Sequence, residues 1–94
     1  MKYRVVYSAK FRRDAKLAKK RGCDMALLER VVGLLAQGEK LPPKYRDHAL
    51  LGGEFKGCRE CHVQQDWLLV YQIHDAALEL YLLHTGTHSD LFGK

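Results

Sequence analysis

Cys58-Arg59-Glu60-Cys61-His62-Val63, Trp67-Leu68-Leu69-Val70-Tyr71-Gln72-Ile73 and Leu78-Glu79-Leu80-Tyr81-Leu82-Leu83 are three short runs dominated by apolar, β-branched and aromatic residues, with only a few residues between them. Gaps that short join neighbouring strands as hairpins, whereas parallel strands need a crossover of about a dozen residues or more. The stretch therefore predicts a three-stranded antiparallel meander, and everything else in the chain must pack on it.

Working outward, Tyr3, Val5 and Tyr7 alternate with Lys2, Arg4 and Val6, the period of a strand with one apolar face. Ser8 is placed to cap a helix on which Phe11, Ala15 and Ala18 share a face, while Lys10, Arg12, Arg13, Lys16, Lys19, Lys20 and Arg21 make the remainder basic. Gly22 suits its C-terminus, and Asp24 caps a second helix whose Leu28, Val31, Val32 and Leu35 form an amphipathic stripe ending at Gly38. So short a break predicts an antiparallel helical hairpin. Leu41-Pro42-Pro43 stops further helix, and the segment to Gly57 reads as a loop. The expected fold is α+β, ordered β-α-α-β-β-β, with the hairpin packed on a small, mainly antiparallel sheet. Residues 1–94 form one domain with a short C-terminal tail.

Composition narrows the class. The chain has 94 residues, 47% of them apolar, enough for a single core and too many for a disordered segment. Sixteen Lys and Arg against eleven Asp and Glu give a net charge of +5, which favours an anionic partner such as nucleic acid. Three unevenly spaced cysteines make no disulfide framework. No apolar run is long enough for a signal peptide or membrane span, so a cytoplasmic protein with reduced thiols and no membrane partner is expected.

Ionisable residues crowd the ends of the predicted strands. Arg59-Glu60-Cys61-His62, Asp66-Trp67 and His84-Thr85-Gly86-Thr87-His88 frame the meander, and His48 lies upstream in Tyr45-Arg46-Asp47-His48. Histidine titrates near neutrality and can take or give a proton there. Metal-free RNA cleavage has a 2′-hydroxyl attack the adjacent phosphorus, with a base for its proton, an acid for the departing 5′-oxygen and positive charge on the phosphoryl oxygens. Imidazoles serve as base and acid, and Asp66 orients one ring or shares the base role. Lys44, Arg46, Lys56 and Arg59 offer phosphate contacts, and Trp67 or Phe92 a stacking surface. Read singly, the same residues are ordinary: His48 and His74 as solvated surface, Trp67 and Tyr71 as core, Phe92 as a closing aromatic, and the basic first helix as a wetted face.

Leu41-Pro42-Pro43-Lys44-Tyr45-Arg46-Asp47-His48, Phe55-Lys56-Gly57-Cys58-Arg59-Glu60-Cys61-His62, Asp66-Trp67-Leu68-Leu69-Val70-Tyr71 and Thr85-Gly86-Thr87-His88-Ser89-Asp90-Leu91-Phe92, taken in order, resemble the YafQ branch of the RelE/ParE toxin superfamily. The resemblance spans nearly the whole chain. It implies a RelE-like fold, cleavage of messenger RNA in the decoding site of the ribosome, and neutralisation by a partner antitoxin, with no cofactor. It places catalytic roles on His48, His62, Asp66 and His88, and matches Phe92 to the family's C-terminal aromatic. The chain departs from the pattern at His84, where arginine usually precedes the Thr-Gly, at Cys58 for tyrosine and at Ala49 for proline. Arginine holds a permanent charge and a two-donor grip on phosphate, so His84 is expected to change how transition-state charge is met.

Three rivals are carried forward. Cys58-x-x-Cys61 with His84-x-x-x-His88 has zinc-ligand types, yet residues three apart on a strand point to opposite faces, so no metal site is expected there. A ParE-like inhibitor of the same fold would not need an acid–base cluster. A non-catalytic RNA-binding domain would survive removal of the histidines.

Overall fold

The computed structural model describes residues 1–93. Strand β1 (Arg4–Tyr7) leads into helices α1 (Ala9–Lys20) and α2 (Met25–Ala36). A short strand β2 (His48–Ala49) precedes β3 (Arg59–Gln64), β4 (Trp67–His74) and β5 (Glu79–Gly86), and a terminal helix α3 (His88–Phe92) follows. Ser8 and Asp24 cap α1 and α2 by accepting the amide hydrogens of Phe11 and Ala26. The expected α+β order stands, with two additions. The proline-led loop contains β2, and the tail folds into α3.

Five strands form one sheet in the order β1-β5-β4-β3-β2. The predicted meander is its centre, β3, β4 and β5 pairing antiparallel, while β1 joins β5 in parallel. β2 escapes a sequence reading because two residues carry no period. Its existence rests on the ladder His48↔Glu60 and Ala49↔Arg59.

Both long helices cover one face. Phe11, Ala18, Leu28, Val31 and Leu35 pack there with Tyr3, Cys61, Trp67, Leu69, Tyr71, Leu80 and Leu82. Tyr7, expected on the apolar face of β1, lies largely exposed at the edge. Alternation and register put Glu60, His62, Leu68 and Val70 on the other face, opposite the helix-packed core. His84 reaches that face through an irregularity. Val70 pairs with His84 but Tyr71 pairs with Leu82, so β5 carries one extra residue at Leu83. Regular alternation would have turned His84 toward the helices with Leu82, and the bulge re-aims it.

Beyond Tyr7, β1 no longer covers β5, and α1 takes over that edge. The Ser8 hydroxyl donates to the Leu83 carbonyl (2.9 Å), and the Thr85 N–H donates to Asp14 Oδ2 (3.2 Å). Side chains thus satisfy backbone groups that a longer strand would have paired. No helix among the described residues is long and apolar enough to cross a membrane.

Candidate active site

The tight β3–β4 turn brings Asp66 back beside the first turn of α3. One carboxylate oxygen, Oδ1, takes both the His88 backbone N–H (3.1 Å) and the His88 ring at Nδ1 (2.8 Å). A carboxylate only accepts, so Nδ1 carries the hydrogen and Nε2 is left to face a substrate. The same two bonds, the ring's first, hold the Asp66 carboxyl below its ordinary range. The His62 ring stands with its centroid 5.8 Å from that of His88. The described chain therefore places two imidazoles side by side, one of them oriented by an ionised carboxylate.

α3 is too short to hold itself and is tied down at its start. Thr87 and Asp90 form a reciprocal capping box, Asp90 N–H to Thr87 Oγ1 (3.1 Å) and Thr87 N–H to Asp90 Oδ2 (3.0 Å). Arg21, at the end of α1, grips both Asp90 oxygens (2.7 and 3.3 Å). That grip, together with the Thr87 amide, lowers the Asp90 carboxyl below its ordinary range. Phe92 packs edge-on to Phe55 (5.8 Å) and tilts over His88 (6.3 Å), partly exposed at the rim.

Glu60 was not singled out in the sequence. It is 5% exposed, its Oε1 lies 3.4 Å from His48 Nε2, and its Oε2 has no hydrogen-bond partner among the described residues. An unpartnered buried carboxylate oxygen is costly and marks a site awaiting a donor. The signal was available: Glu60 and His62 are two apart on one strand, so they share a face, and an acid within an apolar run needs a reason. His48 Nδ1 sits 2.8 Å from the Arg46 carbonyl and must donate to it, which turns Nε2 toward Glu60. β2 is thus what brings His48 to the cluster.

Other expected residues lie elsewhere. Arg59 points to the opposite side of β3 from Glu60 and His62 and is engaged by Asp47 (3.0 Å to Oδ2), which also accepts the Tyr71 hydroxyl. Its guanidinium holds the loop before β2 and is not free for phosphate. Trp67 is core, its indole N–H donating to Thr85 Oγ1 (2.9 Å), so it offers no stacking face. Lys56 lines a separate depression with Tyr3, Cys58 and Arg59, away from His62. Arg46 and Lys44, by contrast, share a cleft with His62. His84 lies edge-on against Phe55 (4.8 Å) with its Nδ1 3.4 Å from Asp14 Oδ2, an ionic distance without hydrogen-bond geometry.

The zinc arrangement does not assemble. Cys61 is fully buried among the helices, and desolvation pushes its thiol up to about 12, against the thiolate a metal needs. A different set could hold an ion: the ligand atoms of Glu60, His62 and His88 all lie within 4.8 Å of one another. Imidazole and carboxylate suit zinc or copper. An ion there would occupy both imidazoles, so micromolar zinc or copper is expected to suppress cleavage and a chelator to restore it. Rate measured against metal concentration, with and without chelator, checks this.

The comparisons with known proteins agree with the geometry. Residues 3–93 match the family model described as bacterial toxin of type II toxin-antitoxin system, YafQ. The mRNA interferase toxin YafQ of Escherichia coli K12 is 42% identical over 90 residues, covering 95% of each chain. Crystal structures of E. coli BL21(DE3) YafQ (TM-score 0.89, 40% identity, 97% of this chain and 99% of that one) and of YafQ in an E. coli DinJ–YafQ complex (0.87, 41%, 97% and 99%) share the fold. So does a metal-bound toxin from Helicobacter pylori (0.88, 47%, 98% and 100%). Fold and site together define a RelE-like toxin of a type II toxin–antitoxin system. Within that class, the chain belongs to the YafQ family.

Proposed function

We propose that this chain is an endoribonuclease that cuts messenger RNA held on the ribosome, in the cytoplasm, by acid–base chemistry of its own side chains, and that a separate antitoxin protein silences it. The observation that carries the reading is the His62–His88 pair with the His88 tautomer fixed by Asp66. One imidazole, neutral, takes the 2′-hydroxyl proton as its oxygen attacks phosphorus. The other, protonated, delivers a proton to the 5′-oxygen as that bond breaks. A 2′,3′-cyclic phosphate and a 5′-hydroxyl result. Glu60 Oε1 lies 3.4 Å from His48 Nε2, and His48 extends the same face. Phe92 lies beside His88 and offers its exposed edge to a base. The E. coli relative's name as an mRNA interferase, and a relative's complex with the DinJ protein, support the substrate and the antitoxin.

Incubation of purified protein with programmed ribosomes, followed by mapping of both new ends, tests the proposal. Cyclic-phosphate ends opposite 5′-hydroxyl ends are expected. Intact message under ribosome-bound conditions would sink it and favour a non-catalytic domain of the same fold.

His84 gives a further expected outcome. It shares the face of Glu60 and His62, where the family pattern has arginine, and histidine is cationic only when protonated. His84→Arg should raise the single-turnover rate several-fold at neutral pH and flatten its dependence on mild acidity, with Asp14 at hand to orient the guanidinium. Identical profiles for the two proteins would make His84 a packing residue against Phe55.

A further inference from the structure

His62 is shared by two spaces. One is the gap to His88, and the other is a cleft of about 480 Å³ at the β3 edge that His62 lines together with Leu27, Lys44, Arg46, Gln64 and Gln65. We infer that this cleft seats the ribonucleotide next to the scissile phosphate, with Lys44 and Arg46 holding its backbone and Gln64 and Gln65 reading the edge of its base. The inference rests on the endoribonuclease reading above and adds a specificity site to it.

Position comes first. A phosphodiester between His62 and His88 must send its chain past His62, and the cleft begins there. Its volume is that of a small-molecule site. Charge comes second. The lining contains Lys44 and Arg46 and no Asp or Glu, whereas the depression between α1 and the start of α3 mixes Lys10 and Arg21 with Asp14, Asp66 and Asp90. A cleft of one sign concentrates an anion.

The cationic wall is also fixed in place. Arg46 adopts a left-handed backbone conformation (φ 50°), and its carbonyl is held by His48. The next residue, Asp47, is clamped by Arg59 and Tyr71. A wall built before the ligand arrives loses little freedom on binding.

The opposite wall carries the discrimination. Gln64 and Gln65 lie between His62 and Asp66, where β3 loses register, and both are exposed. Neither amide has a hydrogen-bond partner among the described residues. Each offers a donor and an acceptor, the pattern that distinguishes base edges in unpaired RNA. Leu27 and Val63 add apolar surface to the same lining. A hydrophobic slot would tell bases apart weakly, whereas paired amides reject a base that leaves them unmatched.

Ribosomes programmed with messages that differ only in the bases flanking the cut provide the test, with single-turnover rates for the wild-type chain, a Gln64→Ala/Gln65→Ala variant and a Lys44→Ala/Arg46→Ala variant. The wild type is expected to prefer one base on one side of the cut by about tenfold or more. Loss of both glutamines should bring the preferred message down to the rate of the others. Loss of both cations should weaken all messages alike, raising KM and flattening the salt dependence while the preference survives. Full preference in the glutamine variant, or a wild type indifferent to both flanking bases, overturns the inference while leaving the nuclease reading intact. A wild type that cuts none of the messages removes the nuclease reading and this site with it.

Discussion

His88→Ala is expected to lower single-turnover cleavage by about 10²- to 10⁴-fold, the usual worth of one positioned acid or base, while the protein stays folded. The size follows from geometry: the His88 ring is half-exposed, touches no core residue by hydrogen bond, and has its one orienting partner in Asp66. His62→Ala is expected to do as much, and the double variant little more, because two groups acting in one proton-transfer cycle are not additive. Circular dichroism and antitoxin binding should match the wild type for all three. Acidification adds a second reading. The Asp66 carboxyl is held below its ordinary range in the folded protein, so its contribution is present above the ordinary carboxylate range and is lost only as pH falls through the lowered value. Wild-type rates from His88→Ala and His62→Ala at matched concentration would remove both from the mechanism.

Gly86→Ala should cost about 10²-fold in rate through position alone, the penalty of roughly an ångström of misplacement. Gly86 closes β5 at φ 157°, and a Cβ there would meet Asp90 Oδ2 at 2.8 Å and Asp90 Cβ at 2.9 Å. Those atoms belong to the capping residue of α3, so the methyl group displaces the carboxylate that Thr87 and Arg21 hold. α3 then loses its start, and His88 its register against Asp66 and His62. The global loss in stability should stay near 1–3 kcal/mol, the scale of one strained backbone position. A lowered kcat with native β4 amide chemical shifts by NMR checks it. A fully active Gly86→Ala would show that α3 has room to shift without consequence.

How legible this was in the sequence can be judged residue by residue. The helices and meander were readable because their periods run for several turns or pleats, as in Leu28, Val31 and Leu35 on α2. The clustering of His62, Asp66 and His88 was readable because strand ends and a tight turn converge whatever the packing. β2 was not, since two residues give no alternation, and without β2 nothing placed His48. Glu60 was passed over because acids in strands usually face water, and only the ladder His48↔Glu60 shows it covered. Arg59 and Trp67 were expected at the substrate because their types suit phosphate and bases. A side chain's destination depends on register and on competing partners, here Asp47 and Thr85, which no local pattern reveals.

The parallel pairing of β1 with β5 has a dynamic consequence. Arg4 meets Glu79 and Tyr7 meets Leu82, so the sheet is completed by a contact between segments remote in sequence, whereas the meander is closed by local turns. Local closures form early and open last, and remote ones follow the reverse course. β1 and α1 should accordingly be the first cooperative unit to detach in native-state hydrogen exchange, while β3 to β5 keep their protection. That departure would carry Ser8 and Asp14 off the β5 edge and Arg21 off Asp90, releasing α3. Catalytic competence would then be lost in an excursion that leaves most of the sheet folded, and the lifetime of the active state would be set by the N-terminal unit rather than by the strands that bear His62.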